Sequence, residues 1–174
     1  MYIQLNALHM DSEKRRNFCR AKICATFPCL RALPLALHMK TTESFIEDRI
    51  RWRAGLHGLP KQNTYFWENG KKTPQIVLPV RIGKPVLVSA ANDLEFIVLC
   101  TRGAAVKNYG VESSFLYDEI DEVRDVPMAH GEEKADLTKL VIKLINGDEV
   151  PVSPEPFGPA FSVWNILIML QRMS

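Results

Sequence analysis

Residues 138–152 read TKLVIKLINGDEVPV, and this stretch determines the fold class more than any other part of the chain. Its side chains alternate, with Leu140, Ile142 and Leu144 on one side and Lys139, Val141 and Lys143 on the other. Such alternation is typical of a strand with one buried face and one face in water. Asn146-Gly147 is the strongest short signal for a hairpin turn, and Glu149–Val152 follows as the returning strand. The stretch therefore predicts an antiparallel hairpin.

Short apolar runs separated by turn residues precede this hairpin, and each run predicts a strand. The predicted strands are Gln75–Val80, Pro85–Ser89, Leu94–Thr101, Ala104–Asn108, Phe115–Tyr117, Ile120–Val126 and Leu137–Ile145. Glycine, asparagine and aspartate lie between many of them and favour tight turns. The polar segment 129–136 predicts a loop. Many short strands with short connections are typical of antiparallel sheets.

Two segments with helical spacing flank the strands. Ser44-x-x-Glu47 has the pattern of a capping box, and the apolar residues after it predict a helix over 44–56. A proline-rich joint at 151–156 precedes the second helix, in which Pro159 suits the first turn. The narrow polar stripe of this second helix consists of Ser162, Asn165, Met169 and Arg172. A helix with so wide an apolar face needs a partner surface along most of its length.

The first 38 residues differ in composition from the rest of the chain. They carry six basic and two acidic residues, three of the four cysteines and no glycine. Three interpretations are open: a secretory signal, a mitochondrial-type presequence, or an irregular extension before a folded protein that starts at Met39. We favour the third, because Pro28, Arg31 and Pro34 interrupt the apolar run. We expect 1–38 to be a disordered or irregular extension, 39–74 to form a helix and an aromatic loop with a turn at Asn69-Gly70, and 75–174 to form the main domain.

Composition excludes several broad classes of protein. Hydrophobic residues make up 47% and charged residues 24%, which is typical of a globular domain. With 22 basic and 20 acidic residues the net charge is +2, so we expect no nucleic-acid partner. The apolar runs are shorter than the ~20 residues of a membrane-spanning helix. The glycines do not form a phosphate-binding pattern, so we expect no nucleotide cofactor.

The cysteines and acidic residues are the remaining candidates for chemistry. Cys19, Cys24 and Cys29 are each separated by four residues, a marginal spacing for zinc, so we expect reduced thiols and no metal. Cys100 lies in an apolar run and is predicted to pack as a small hydrophobe. The acidic residues of 118–125 alternate in side, which predicts a solvated strand edge. Without a convincing secretory signal, four cysteines indicate a reducing compartment, so we expect a cytoplasmic protein.

Short antiparallel strands finished by one amphipathic helix resemble the pleckstrin-homology-like superfold over about residues 75–173. The closest resemblance is to bacterial and GRAM-like members, in which an LTxxR-like turn is followed by a Tyr-x-x-Ile step. Leu99–Gly103 (LCTRG) and Tyr117–Ile120 (YDEI) stand at those places. The resemblance implies an α+β, mainly β fold: a partly open antiparallel barrel of about seven strands closed by the C-terminal helix, with Trp164 as a plug and an extra N-terminal helix.

The resemblance further implies a binding scaffold without catalysis or cofactor. Members that bind phosphoinositides carry a basic cluster on the first hairpin, where this chain has Arg81 and Lys84 and no basic-x-Arg step follows. We therefore expect a non-catalytic module that binds another protein. The alternative is a peripheral membrane module that binds anionic lipid. Under either hypothesis, the expected contacts come from a basic and aromatic rim: Arg81, Lys84, Arg102, Lys107, Tyr65, Phe66 and Trp67.

Overall fold

A computed structural model describes residues 42–68, 74–125 and 137–174, all within the compact unit Met39–Ser174. The elements in chain order are α1 (Glu43–Leu56), β1 (Thr64–Phe66), β2 (Pro85–Asn92), β3 (Glu95–Cys100), β4 (Gly103–Asn108), β5 (Val111–Leu116), β6 (Ile120–Asp125), β7 (Leu140–Leu144), β8 (Glu149–Val152) and α2 (Gly158–Gln171). Short 3-10 turns occupy Val80–Ile82 and Tyr117–Glu119. The α+β, mainly β class is confirmed. The head 1–38, the Asn69-Gly70 turn and the 129–136 loop lie outside the described residues.

The strands form two antiparallel sheets. One sheet has five strands in the order β1-β2-β3-β4-β5, and the other has three in the order β6-β7-β8. Within the described ranges no ladder joins the two sheets, so these strands do not form a closed barrel. The β7–β8 hairpin turns at Asn146-Gly147 as predicted, with Gly147 at a φ of 91°. Glycine reaches this left-handed conformation without steric cost.

The main core lies between the inner faces of both sheets and the two helices. Ile97, Phe115, Ile142 and Leu167 are fully buried there. α1 contributes Ile46, Ile50 and Ala54, which lie on one face at helical spacing. α1 packs against α2 and β2, so it covers part of the wide apolar surface of α2.

The outer face of the five-stranded sheet is also buried. Val88, Phe96, Val98, Cys100 and Ala105 form a second cluster on this face. Ile76 and Leu78 cover it from the segment 74–79, which we call the strap, and Ile82 follows in the next turn. Because both faces of β3 are covered, the run LEFIVLCT contains no alternation.

Two sequence predictions are wrong, one for the strap and one for the aromatic loop that contains β1. Gln75–Val80 is not a strand, because it crosses the outer face of the sheet instead of pairing at its edge. The predicted aromatic loop contains β1, which pairs with β2 and places Tyr65 opposite Val88. A short apolar run thus belonged to a covering segment, in which Ile76 and Leu78 face the sheet and the valine between them faces solvent. The strand β1 has only three residues, which is too short a pattern to detect.

Several local predictions are wrong in detail. Thr42, not Ser44, caps α1: its Oγ1 accepts a hydrogen bond from Phe45 N at 3.3 Å. Ser162 is buried instead of lying in an exposed stripe, and its Oγ donates to Gly158 O at 2.8 Å. Tyr117 lies in a 3-10 turn after β5 and not in a strand.

The acidic stretch does not alternate, because β6 contains a bulge between its first and third residues. Ile120 and Val123 are buried, whereas Asp121 and Glu122 between them both face solvent. A bulge adds one residue to one strand and shifts the side chains that follow it. The acids are therefore exposed as expected, but the pattern that exposes them differs from the predicted one.

The helix α2 covers the free edge of β6 with two side chains. Trp164 Nε1 donates to Val123 O at 3.2 Å, and Gln171 Nε2 donates to Asp121 O at 2.8 Å. Trp164 is only partly buried. It therefore acts as a cap on a strand edge, in contrast to the fully buried plug that the sequence suggested.

Candidate binding cleft

A cleft of about 290 Å³ lies where α1 begins, where the β3–β4 turn projects and where α2 ends. Its floor is apolar and its rim is polar. The floor consists of Ile46, Leu116, Tyr117, Leu170 and Met173, and the rim of Arg81, Thr101, Arg102, Asp118 and Ser174. Two of the predicted binding residues, Arg81 and Arg102, thus meet at one site.

Arg81 is placed by the 3-10 turn before β2, and its guanidinium covers the free edge of β5. Arg81 Nη2 donates to Ser114 O at 2.7 Å, and Arg81 Nη1 contacts Glu119 Oε1 at 3.3 Å. The other oxygen of Glu119 accepts from Leu116 N at 2.8 Å. This ion pair therefore occupies backbone groups that another strand would otherwise use.

Arg102 lies in the β3–β4 turn and links it to α1 and to the turn before β2. Its Nε contacts Glu43 Oε1 at 3.3 Å, and its Nη2 donates to Val80 O at 3.2 Å. Gly83 lies beneath, at a φ of 81°, where a side chain would overlap Thr101 Oγ1. Lys84 N donates to that oxygen at 3.0 Å. The Arg102 side chain is still 52% exposed, so it remains available to a ligand.

The Tyr117 side chain forms part of the floor and joins the two motifs that carry the pleckstrin-homology-like resemblance. Its hydroxyl donates to Cys100 O at 2.7 Å in a buried position. Burial raises the pKa of Tyr117 well above its usual value, so the hydroxyl stays protonated as a donor. Burial also raises the pKa of the Cys100 thiol to about 12. Neither group can act as a nucleophile near neutral pH.

The remaining predicted site residues are dispersed. Lys84 is exposed near the cleft, and within the described residues it forms no ion pair. Lys107 lies at the opposite end of β4 from Arg102, about 17 Å away at the rise of a strand. Its Nζ donates to Gln75 O at 2.9 Å and to Glu112 Oε1 at 3.1 Å. Lys107 therefore holds the strap and does not belong to the cleft.

The aromatic segment of β1 is divided between the two faces of its sheet. Phe66 packs against the main core, with the Arg51 guanidinium 4.8 Å from its ring centre. Tyr65 and Trp67 pack on the outer-face cluster. All three side chains are partly buried, and Phe66 lies on the face opposite to Tyr65 and Trp67, so the three do not form a single aromatic contact surface.

The charges around the cleft are balanced. Arg81 pairs with Glu119, and Arg102 pairs with Glu43. Asp118 adds an exposed carboxylate to the rim. Sequence reasoning did not identify Glu43 and assigned Asp118 to a solvated strand edge, because only the fold brings the start of α1 and the turn before β6 to one place. The rim therefore presents alternating charges and not a positive field.

Other acidic and histidine side chains considered as candidates already contact neighbouring residues of the chain. Glu119 holds Arg81, and Asp121 Oδ2 accepts from Lys143 Nζ at 2.8 Å. His57 ends α1 and contacts the Phe161 ring, and burial followed by the nearby Arg53 charge lowers its pKa. Across 42–68, 74–125 and 137–174, no three His, Cys, Asp or Glu side chains are grouped as a metal site would require. The three clustered cysteines and His130 lie outside these ranges.

Neither described helix is long and apolar enough to cross a membrane. Comparisons of the chain with protein-family models, with curated proteins and with solved structures found no match.

Proposed function

We propose that this chain is a non-catalytic module of the pleckstrin-homology-like superfold that binds a segment of another protein in the cleft between α1, the β3–β4 turn and α2. The observation that carries the proposal is the cleft's combination of an apolar floor with a rim of both charges. A peptide offers such a site an apolar side chain together with backbone donors and acceptors. The volume of about 290 Å³ suits one or two side chains and not a large cofactor.

The balance of rim charges favours a protein over an anionic lipid headgroup. A site for an anionic headgroup needs a cluster of several Lys or Arg side chains that are not already paired with carboxylates and can contact the phosphates. Here Arg81 and Arg102 on the rim each face a glutamate at 3.3 Å, and Lys107, which lies outside the cleft, faces Glu112 at 3.1 Å. A partner with its own mixed charges can replace these contacts one for one.

The order of the strands supports the fold assignment. β2 to β5 form four consecutive antiparallel strands, β6 to β8 form three more, and α2 follows them. Seven strands in this arrangement with a final helix are what the superfold requires, and α1 and β1 would be additions. The contact between Tyr117 and Cys100 also joins the two motifs that suggested the resemblance.

A charge exchange at the cleft tests the proposal. Lys84→Glu reverses an exposed charge beside the cleft, at the residue whose backbone N–H donates to the rim residue Thr101. Asp118→Lys reverses an exposed charge on the rim itself, and the double variant leaves the net charge unchanged. Arg81 is unsuitable, because its replacement would also free the edge of β5. We expect capture of the partner from a lysate of the source cell to fall at least about tenfold, because each reversed charge would face a like charge of the partner, and like-charge juxtaposition costs several kcal/mol.

The matched control is Lys61→Glu with Glu122→Lys, two exposed positions that do not line the cleft. This variant should capture the partner as the parent does, and both variants should keep the parent's melting temperature. Equal capture by the cleft variant would contradict the proposal. Binding of the parent to anionic liposomes that weakens as salt is raised would favour the membrane alternative instead.

A further inference from the structure

The helix α1 carries an exposed stripe on the side away from the core. Phe45, Trp52 and Leu56 are 47%, 49% and 60% exposed, and Arg49 lies between them in the same stripe. Positions separated by three and four residues share one face of a helix. The buried Ile46, Ile50 and Ala54 occupy another face. Three large apolar side chains in one row are more than the scattered exposure of an ordinary surface.

Arg49 is held against both aromatic rings of the stripe. Its guanidinium carbon lies 5.9 Å from the centre of the Phe45 ring and 4.7 Å from that of Trp52. Arg49 Nε is buried, and the described residues provide no hydrogen-bond partner for it. The stripe thus has a cation at its middle and, next to it, the electron-rich Trp52 ring, which is 49% exposed.

The spacing of the stripe reads the same from either end, because its four positions are separated by four, three and four residues. A second α1 placed antiparallel to the first would therefore bring Phe45 opposite Leu56 and Arg49 opposite Trp52, twice over. Each guanidinium would meet a ring face of the other copy, so the electrostatic match is self-complementary. A parallel copy would instead oppose Arg49 to Arg49 and repel.

We propose that a second copy of this chain binds to the α1 stripe in an antiparallel arrangement, giving a dimer with twofold symmetry. Twofold dimers use the same patch on both subunits, which is the property that this spacing supplies. The stripe leaves on the order of 300–400 Å² exposed per copy, judged from the area of half-exposed aromatic side chains. That is below the ~800 Å² per partner of standard interfaces, so we expect a weak dimer.

Sedimentation equilibrium of the full chain, from about 1 µM to about 1 mM, measures this association. We expect a concentration-dependent dimer and a rise of at least about tenfold in its Kd for Leu56→Ser and for Trp52→Ser. The matched control is Leu94→Ser, which alters a side chain of similar exposure (57%) outside the stripe and should leave the Kd unchanged. A monomer over the whole range, or an equal effect of Leu94→Ser, would overturn the proposal.

Cysteine cross-linking determines the orientation. In a full chain with Cys19, Cys24 and Cys29 replaced by serine, Phe45→Cys combined with Leu56→Cys should form intermolecular disulfides when the protein is held at about 1 mM, a concentration that offsets the weaker association expected from the loss of Leu56. Each single variant should not, because like positions of antiparallel copies lie about 16 Å apart along the axis, too far for a disulfide. Efficient cross-linking of either single variant would overturn the arrangement. Stripe-dependent binding of a monomeric parent to phosphatidylserine vesicles would assign the stripe to a membrane instead.

Discussion

The two sheets differ in what covers their outer faces. The five-stranded sheet is buried on both sides, by the core within and by the strap outside. Among the described residues, apolar side chains bury only the inner side of the three-stranded sheet, and its outer side carries ion pairs such as Lys143–Asp121 and Arg124–Glu149. The sequence pattern of a strand therefore indicates how many of its faces are buried. β3 is buried on both faces and is almost continuously apolar, whereas β7 is buried on one face and alternates.

The largest expected effect is the removal of an apolar side chain under the strap. Phe96→Ala should lower the free energy of unfolding by about 3–5 kcal/mol, the usual loss for a buried aromatic residue. Val141→Ala, on the outer side of the three-stranded sheet, should cost about 1 kcal/mol or less, because that side chain is already partly in water. Urea denaturation measures both values. Similar losses at the two positions would refute the difference between the outer faces.

Loosening the strap should have the next largest effect. Ile76→Ser with Leu78→Ser removes two partly buried side chains and should cost about 2–3 kcal/mol. The same change should speed alkylation of Cys100, whose pKa is raised to about 12 by burial beneath this cover. Mass spectrometry of Cys100 after a short alkylation pulse at pH 8 gives the readout. Unchanged labelling in a destabilised variant would show that the strap does not protect this face.

Glu95 links the five-stranded sheet to the residue that follows the three-stranded sheet, and it should make the free energy of unfolding fall at acid pH. This residue is 6% exposed, and its Oε1 accepts from Ser153 Oγ at 3.0 Å, just beyond β8. Burial is the largest single influence and acts to raise its pKa, but hydrogen bonds from Asn92, Ser153 and Tyr109 together with the Lys139 charge outweigh burial, so the pKa is lowered from 4.5. A lowered pKa means that the carboxylate stabilises the fold above pH 4.5 and that this contribution is lost as the pH falls through the folded value.

Glu95→Gln should therefore cost about 1.5–3 kcal/mol near neutral pH, the range for hydrogen bonds to charged groups. Its unfolding free energy should vary less between pH 6 and pH 3 than that of the parent. Asp93→Asn changes an exposed acid in the neighbouring turn and serves as the control for general charge effects. Parallel pH profiles for the parent and Glu95→Gln would contradict the assignment.

A smaller effect is expected where α2 meets the edge of β6. Trp164→Phe keeps an aromatic ring but removes the Nε1 donor that reaches Val123 O, so we expect a loss of about 1 kcal/mol. Thermal unfolding measures it. Hydrogen exchange should increase in β6 and not in β3, which isolates the effect to the three-stranded sheet.

The smallest effect on stability is expected on the solvent-exposed face of the three-stranded sheet. Arg124→Ala breaks the exposed pair with Glu149 and should cost about 1 kcal/mol or less. A double-mutant cycle with Glu149→Ala measures the coupling. A coupling well above that value would show that this face is more shielded than its exposure indicates.

The elements that could be predicted are those whose signals lie within the element itself, in its residue spacing and its turn residues. The β7–β8 hairpin follows from alternation and Asn146-Gly147, and α1 follows from helical spacing. The strap was mistaken for a strand because Ile76 and Leu78 alternate over the sheet as strand residues do. The buried Ser162 was also unpredictable, because its burial depends on which neighbours surround α2 and not on its own helix.

The candidate site was predictable only in part, for the same reason. Arg81 and Arg102 were identified as basic turn residues, and the fold places both on one cleft. Lys107 has the same chemistry but lies at the other end of its strand. Tyr65, Phe66 and Trp67 are adjacent in sequence, yet β1 sends alternate side chains to opposite faces. Adjacency in sequence does not give adjacency in space when the segment is a strand.

The capping of β6 by α2 has a consequence for synthesis of the chain. The strand at Ile120–Asp125 is translated well before Gln171, which lies 50 residues after Asp121, the residue whose carbonyl it covers. At about 5–20 residues per second, roughly 3–10 s pass between the appearance of the strand and that of its cap. During that interval the nascent chain lacks this cap, and an uncovered strand edge is a site where another chain can pair.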